Sequence, residues 1–294
     1  MNNLKALPYI LLLGTLFGTN LTISRFSIGQ FPPVALAAFR LTLAGLMFLL
    51  VFLISPKYDL PRDRRFWLRA GLWGIIGSAI PMSCFIAALA YQSSGVTSLL
   101  LTLTPVMTMV MTYLLVGDEK ITWIKIMGVL IAILGSGMIL LKGETGLADL
   151  IRPDWRGYTL SFFGSLSAAG SCVFARRYLK QDDIVQATGI RMIVSAAFLL
   201  LFVFLTKGYQ LEPVRFSGII ALLYLSILGT FVPFLLELFI IQRFGATAAT
   251  QNNYVAPVVA TSFGALFLNE QITITIVIGM IAIFAGLRMM NHTE

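Results

Sequence analysis

Apolar residues run in long blocks along this chain, and polar residues fill short gaps between them. The stretch "VALAAFRLTLAGLMFLL", Val34 to Leu50, is typical: sixteen of its seventeen residues carry no charge, and Arg40 is the exception. A helix needs about 20 apolar residues to cross a ~30 Å hydrocarbon layer. No water is present there, so the backbone must satisfy its own hydrogen bonds, which selects helix over irregular chain. The pattern predicts ten spans, at about 7–28, 33–54, 67–91, 96–116, 121–141, 156–177, 184–206, 216–241, 246–268 and 271–290. The longest polar links, "SPKYDLPRDRR" and "KGETGLADLIRPDWR", are too short to hold a soluble domain. Gly14, Gly18 and Asn20 interrupt the first block, and it outruns a signal-peptide core, so a retained span is expected.

Composition agrees with that pattern. Of the residues, 58% are hydrophobic and 12% charged, with a mean hydropathy of +0.88; a soluble domain is about 25% charged. The class is an all-α integral membrane protein. A net charge of +8 could point to nucleic acid, but its placement points elsewhere. With ten alternating spans, the side of the N-terminus receives Lys5, Lys57, Arg62, Arg64, Arg65, Arg69, Lys120, Lys125, Arg176, Arg177, Lys180, Arg243 and Arg288. The other side receives Arg25, Lys142, Arg152, Arg156, Lys207 and Arg215, a bias of 13 to 6. Positive loops stay cytoplasmic. Both termini are therefore expected inside a multi-pass cytoplasmic (inner) membrane protein, with lipid and no nucleic acid as its surroundings.

The two halves of the chain repeat. Arg40 has a counterpart in Arg191, 151 residues on. Gly14 and Gly164, Gly77 and Gly229, Pro81 and Pro233, Gly95 and Gly245, Pro105 and Pro257, Glu119 and Glu270, and Gly128 and Gly279 follow in order at offsets of 150–152. The units expected are 1–150 and 151–294. Each has five spans, an odd number, so the second must insert upside down. Inverted repeats with a midplane site between them are a transporter architecture.

Two five-helix repeats, an arginine in the second span of each, a proline within the fourth and "GDE" or "NE" before the fifth resemble the EamA branch of the drug/metabolite transporter superfamily. The resemblance implies ten transmembrane helices as two inverted five-helix repeats around a central cavity, lined mainly by spans 1, 3, 4, 6, 8 and 9. It also implies export of amino acids and related metabolites. The small multidrug members of that superfamily use a glutamate in the first helix. Here the first seven spans hold no acid, and Glu237 is the one acid well inside a span. Spans 4 and 9 hold no Lys or Arg, which disfavours sugar phosphates.

Candidate site residues cluster near the two prolines of spans 4 and 9. Pro105 and Pro257 sit about ten residues into their spans and leave the carbonyls of Leu101 and Asn253 without a donor. Beside them lie Thr102 and Thr104, and the run Gln251, Asn252, Asn253, Tyr254. Four consecutive residues cover the helix circumference, so some must face inward. Helix packing is the competing explanation, since small and polar residues also hold membrane helices together. The first span adds Thr15 and Asn20, whose amide needs several partners. A charge at the centre of a span costs roughly 2.5–3.5 kcal/mol, so Arg40 and Arg191 must find acceptors. Each either ties its helix to neighbouring carbonyls or holds a substrate carboxylate, and their duplication favours the structural role. Arg191 and Glu237 lie at similar depth and are expected to pair, directly or through water; span 3 offers Arg40 no such acid.

Cys84 and Cys172 lie in spans, and His292 is the only histidine. No metal-ligand spacing and no nucleophile–base set is present, so neither enzyme nor cofactor is expected. The reading is a monomeric secondary transporter that exports or exchanges small polar metabolites, amino acids first, by alternating access. A multidrug or other metabolite exporter, and a passive channel-like facilitator, are the alternatives.

Overall fold

The computed structural model describes residues 3–55, 58, 60–61, 63–115, 122–147, 154–179, 182–208, 214–244 and 250–291. Among them ten helices follow one another: α1 (Asn3–Ser27), α2 (Pro33–Ile54), α3 (Arg64–Ala88), α4 (Ser94–Leu115), α5 (Trp123–Leu141), α6 (Trp155–Tyr178), α7 (Ile184–Leu205), α8 (216–244), α9 (Asn252–Leu268) and α10 (Ile274–Asn291). No strand occurs among the described residues. The helices α1 to α8 are long and apolar enough to cross a membrane, and α10 is a shorter apolar helix.

Several helix starts differ from those predicted by hydropathy, because side-chain caps set them. A capping oxygen satisfies one of the backbone N–H groups that a helix leaves unpaired at its start. Asp63 accepts from Arg65 N at 2.9 Å, so α3 starts at Arg64 rather than 67. Thr122 and Thr273 likewise delay α5 and α10 to Trp123 and Ile274. Ser93, Asp154 and Asp183 cap α4, α6 and α7. The start predicted for the ninth span, residues 246–249, lies outside the described residues, and α9 itself begins at Asn252.

The bundle is apolar outside and mixed inside. Leu134, Leu141, Phe204 and Ile274 are largely exposed, as lipid-facing residues would be, whereas Ser24, Thr97, Ser161, Ser195, Ser226 and Thr230 are fully buried. The close helix pairs are α1 with α9, α2 with α7, α3 with α6 and α5 with α10. Glycine permits the tightest of these approaches. A Cβ at Gly14 or Gly18 would fall 2.4–2.6 Å from the side chains of Val255 or Val259 on α9. Odd-numbered helices run away from the face that carries the start of α1, here the N-terminal face, and even-numbered helices return to it. The six helices expected to line the central space, α1, α3, α4, α6, α8 and α9, do so, and α2 joins them through Arg40.

Candidate functional site

The site is organised by prolines. Pro81 and Pro233 lack an N–H, and each ring displaces the carbonyl four residues earlier. Those carbonyls belong to Gly77 and Gly229. In both helices the backbone responds with one π turn, Ile75–Ala79 in α3 and Ile227–Phe231 in α8. Such turns concentrate at functional sites. A free carbonyl at membrane depth must find another donor. Gly77 O takes the Arg191 guanidinium, and Gly229 O takes the Asn20 amide at 2.8 Å. The same residue pairs, 152 apart, thus produce the same deviation in both halves. A third break interrupts α4 at Thr102–Leu103, two to three residues before Pro105, and a turn at Gln251 precedes α9.

Around these breaks lies a cavity of about 300 Å³. Of the predicted site residues, Asn20, Arg40, Thr102, Glu237, Asn252, Asn253 and Pro257 line it. Thr15, Thr104, Pro105, Gln251 and Tyr254 do not. The Thr15 carbonyl accepts from the Thr19 hydroxyl, which also meets Tyr224 Oη at 2.8 Å. The Tyr254 ring turns away to pack edge-on against Phe284 of α10, 5.4 Å between centroids. Thr102 returns its hydroxyl to Leu99 O. Phe17, Leu21, Met82, Phe85 and Ile86 supply the apolar wall.

Of the two roles expected for Arg40, a tie to neighbouring carbonyls is not what its bonds make. Instead it is 2% exposed, and it donates to two hydroxyls, Ser24 Oγ and Thr230 Oγ1, each at 3.0 Å. Its Nε has no partner among the described residues. Arg191 donates to Ser78 Oγ at 2.6 Å and to Gly77 O, and it stacks on the rings of Trp73 (4.4 Å) and Phe234 (5.3 Å). The two arginines therefore cross over: each binds a hydroxyl in the π turn of the other half. Ser78 and Thr230 were absent from the sequence reading, although they sit 152 apart beside the paired glycines.

Arg191 and Glu237 face a second space of about 670 Å³ towards the N-terminal face, together with Trp73, Ser171, Cys172 and Asp182. Gly77, Ala168, Phe234 and Glu237 line both spaces, so the central cavity adjoins this vestibule. The ion pairs among the described residues are Arg69–Asp182 and Arg156–Asp154. Arg191 and Glu237 thus make no direct bridge. Both side chains line the vestibule.

The far face is closed by contacts that the sequence reading did not select. Glu270 is 7% exposed and accepts from Ser94 N (2.8 Å) and Ser94 Oγ (2.7 Å), which ties the α9–α10 link to the start of α4. Burial pushes the Glu270 carboxyl above its ordinary range, while the bonds from Ser94 and Gly95 and the charge of Arg25 pull it back. Arg25 donates to Leu89 O, Ser93 N to Thr145 O, and Gln271 N to Gly146 O. Glu119, the counterpart of Glu270, lies outside the described residues.

A cavity between broken helices, shared by two matching halves, is the geometry of a membrane carrier. The model of the EamA-like transporter family matches the chain twice, over residues 4–141 and 155–292. The chain belongs to this family. Among its relatives is the uncharacterized transporter YoaV of Bacillus subtilis, 24% identical over 98% of this chain and 97% of its own. The uncharacterized inner membrane transporter YedA of Escherichia coli is 27% identical, over 85% of this chain and 78% of its own. One crystal structure shares the fold at a TM-score of 0.65, covering 95% of this chain and 94% of the other at 20% identity.

Proposed function

We propose that this EamA-family protein is a secondary transporter for small zwitterionic metabolites, amino acids first, in the cytoplasmic membrane. Its repeats, 1–150 and 151–294, are inserted upside down relative to each other and rock about the central cavity. Both termini face the cytoplasm, so the vestibule opens inward and the Glu270–Ser94 contact closes the outer side. One observation carries the reading: a small cavity of amides and hydroxyls whose wall holds one guanidinium, Arg40, and one carboxylate, Glu237, that are not bonded to each other. Opposite charges kept apart suit a zwitterion better than a bare cation or a polyphosphate.

The test is counterflow in proteoliposomes of the purified full chain, loaded in turn with each amino acid. Saturable uptake accelerated by the same amino acid on the opposite side is expected. Flux that rises linearly with concentration and lacks trans-stimulation would identify a passive pore instead. The apolar wall beside Glu237 favours, as a second reading, export of hydrophobic amines; the same vesicles loaded with such amines separate the two.

A further inference from the structure

We propose that Arg40 is the carboxylate-holding group of the central cavity, so that cargo is recognised by an anionic end. The inference rests on the carrier reading above and adds the chemistry of one subsite.

Comparison of the two arginines carries it. Arg191 meets a stronger acceptor and two rings: its Nε donates to Ser78 Oγ, its Nη2 to the proline-freed carbonyl of Gly77, and Trp73 and Phe234 lie against the guanidinium. The counterpart of Gly77 is Gly229 (77 + 152 = 229), but its carbonyl is already taken by Asn20. The counterparts of Trp73 and Phe234 are Leu225 (73 + 152 = 225) and Met82 (234 − 152 = 82), neither of which offers a π face. Arg40 is left with two neutral hydroxyls and an unpartnered Nε, while being 2% exposed. No acid lies within 4.0 Å of it among the described residues. A buried charge is costly unless paired. Here the missing partner has a place to sit, because Arg40 lines the cavity beside Asn20, Ser24 and Ser78.

The chemistry narrows the ligand. A guanidinium presents parallel N–H donors that match the two oxygens of a carboxylate. A phosphate dianion would need a second cation. Arg40 is the one Lys or Arg on the cavity wall among the described residues, and Glu237 would repel the extra charge. The fitting ligand is therefore a monoanionic carboxylate, held at Arg40 while Ser24 and Thr230 fix the guanidinium plane. Thr230 belongs to the π turn of α8, so a ligand on Arg40 also acts on the second half.

The test uses the full chain in nanodiscs and reads thermal stability, which rises when a ligand binds the folded state. The probes are the standard amino acids, the amides of those acids, and the matching amines that lack the carboxyl group. In the wild type, amino acids are expected to stabilise, and their amides and amines are not. Arg40→Gln is expected to weaken binding roughly 10- to 100-fold, the loss of a charge-assisted bond. Arg40→Lys, which keeps the charge without the fork, should lose less. Arg288→Gln, an exposed arginine in the last turn of α10 away from both spaces, should retain the ligand-induced shift. Amides or amines that stabilise as well as the parent acids would overturn the subsite and leave the carrier reading standing. A folded Arg40→Gln protein with undiminished binding would do the same. The wild-type probe comparison decides the matter even if the variant does not fold. No shift from any probe, with no saturable flux, would overturn both.

Discussion

At the scale of the residue, the neutral polar groups of the cavity are the first to test. Asn252 and Asn253 line it, on the first turn of α9. One hydrogen bond to a ligand contributes about 0.5–1.5 kcal/mol. Asn253→Ala is therefore expected to raise KM roughly 2- to 10-fold. Asn252→Ala should do likewise, with Gln251→Ala, off the cavity, leaving KM unchanged. Counterflow titration measures all three. If both asparagine variants reach the membrane and transport with the KM of the wild type, the amides serve packing alone. The four-residue run was legible because it covers the whole helix circumference. Which two members face inward was not. That depends on helix phase, and phase is set by the turn at Gln251 and by Phe284 of α10, which takes the Tyr254 ring. Arg40 shows the same boundary. Its presence in the membrane was plain from the pattern, but its two hydroxyl partners lie 16 and 190 residues away.

At the scale of the element, the spans were readable because their apolar length is a physical requirement of the bilayer. The deviations inside them were not. A proline in a helix can be absorbed by a kink, a break or a π turn. The choice depends on which donor reaches the freed carbonyl, and in α3 and α8 those donors come from α7 and α1. Packing between α5 and α10 gives the sharpest test at this scale. A Cβ on Gly135 would meet Ala282 Cβ at 2.8 Å and Gly279 O at 2.9 Å, whereas one on Gly137, two residues on, would meet nothing within 4 Å. Gly135→Ala is expected to destabilise by about 1–3 kcal/mol through overpacking. Gly137→Ala should be neutral or stabilising by up to about 1 kcal/mol, because alanine favours the helix over glycine. Thermal unfolding of both variants in one detergent should move the two midpoints in opposite directions, or the first alone. Equal midpoints would mean that the two helices do not approach so closely.

At the scale of the whole molecule, the two halves share their π turns and differ in their charges. Arg191 is stacked between two rings beside the vestibule, whereas Arg40 lines the central cavity with no ring against it among the described residues and a buried Nε that has no partner there. On the proposed alternating-access mechanism, matching scaffolds would let the two ends open by similar motions, and unlike charges would make the two end states unequal in energy. The structure is open towards the N-terminal face, where the vestibule meets the cavity at Gly77, Ala168, Phe234 and Glu237. Cys172 lines that vestibule and reports on it without an engineered label. With Cys84→Ser removing the other thiol, a membrane-impermeant maleimide should label the protein in inside-out vesicles and not in intact cells. The expectation joins two independent arguments: the 13-to-6 charge bias, from which the N-terminal face is expected in the cytoplasm, and the position of the vestibule on that face. Labelling of intact cells alone would reverse the orientation and place both termini outside. Protection from the reagent on both sides would mean that the inward-open state is not the one the protein occupies at rest in the membrane.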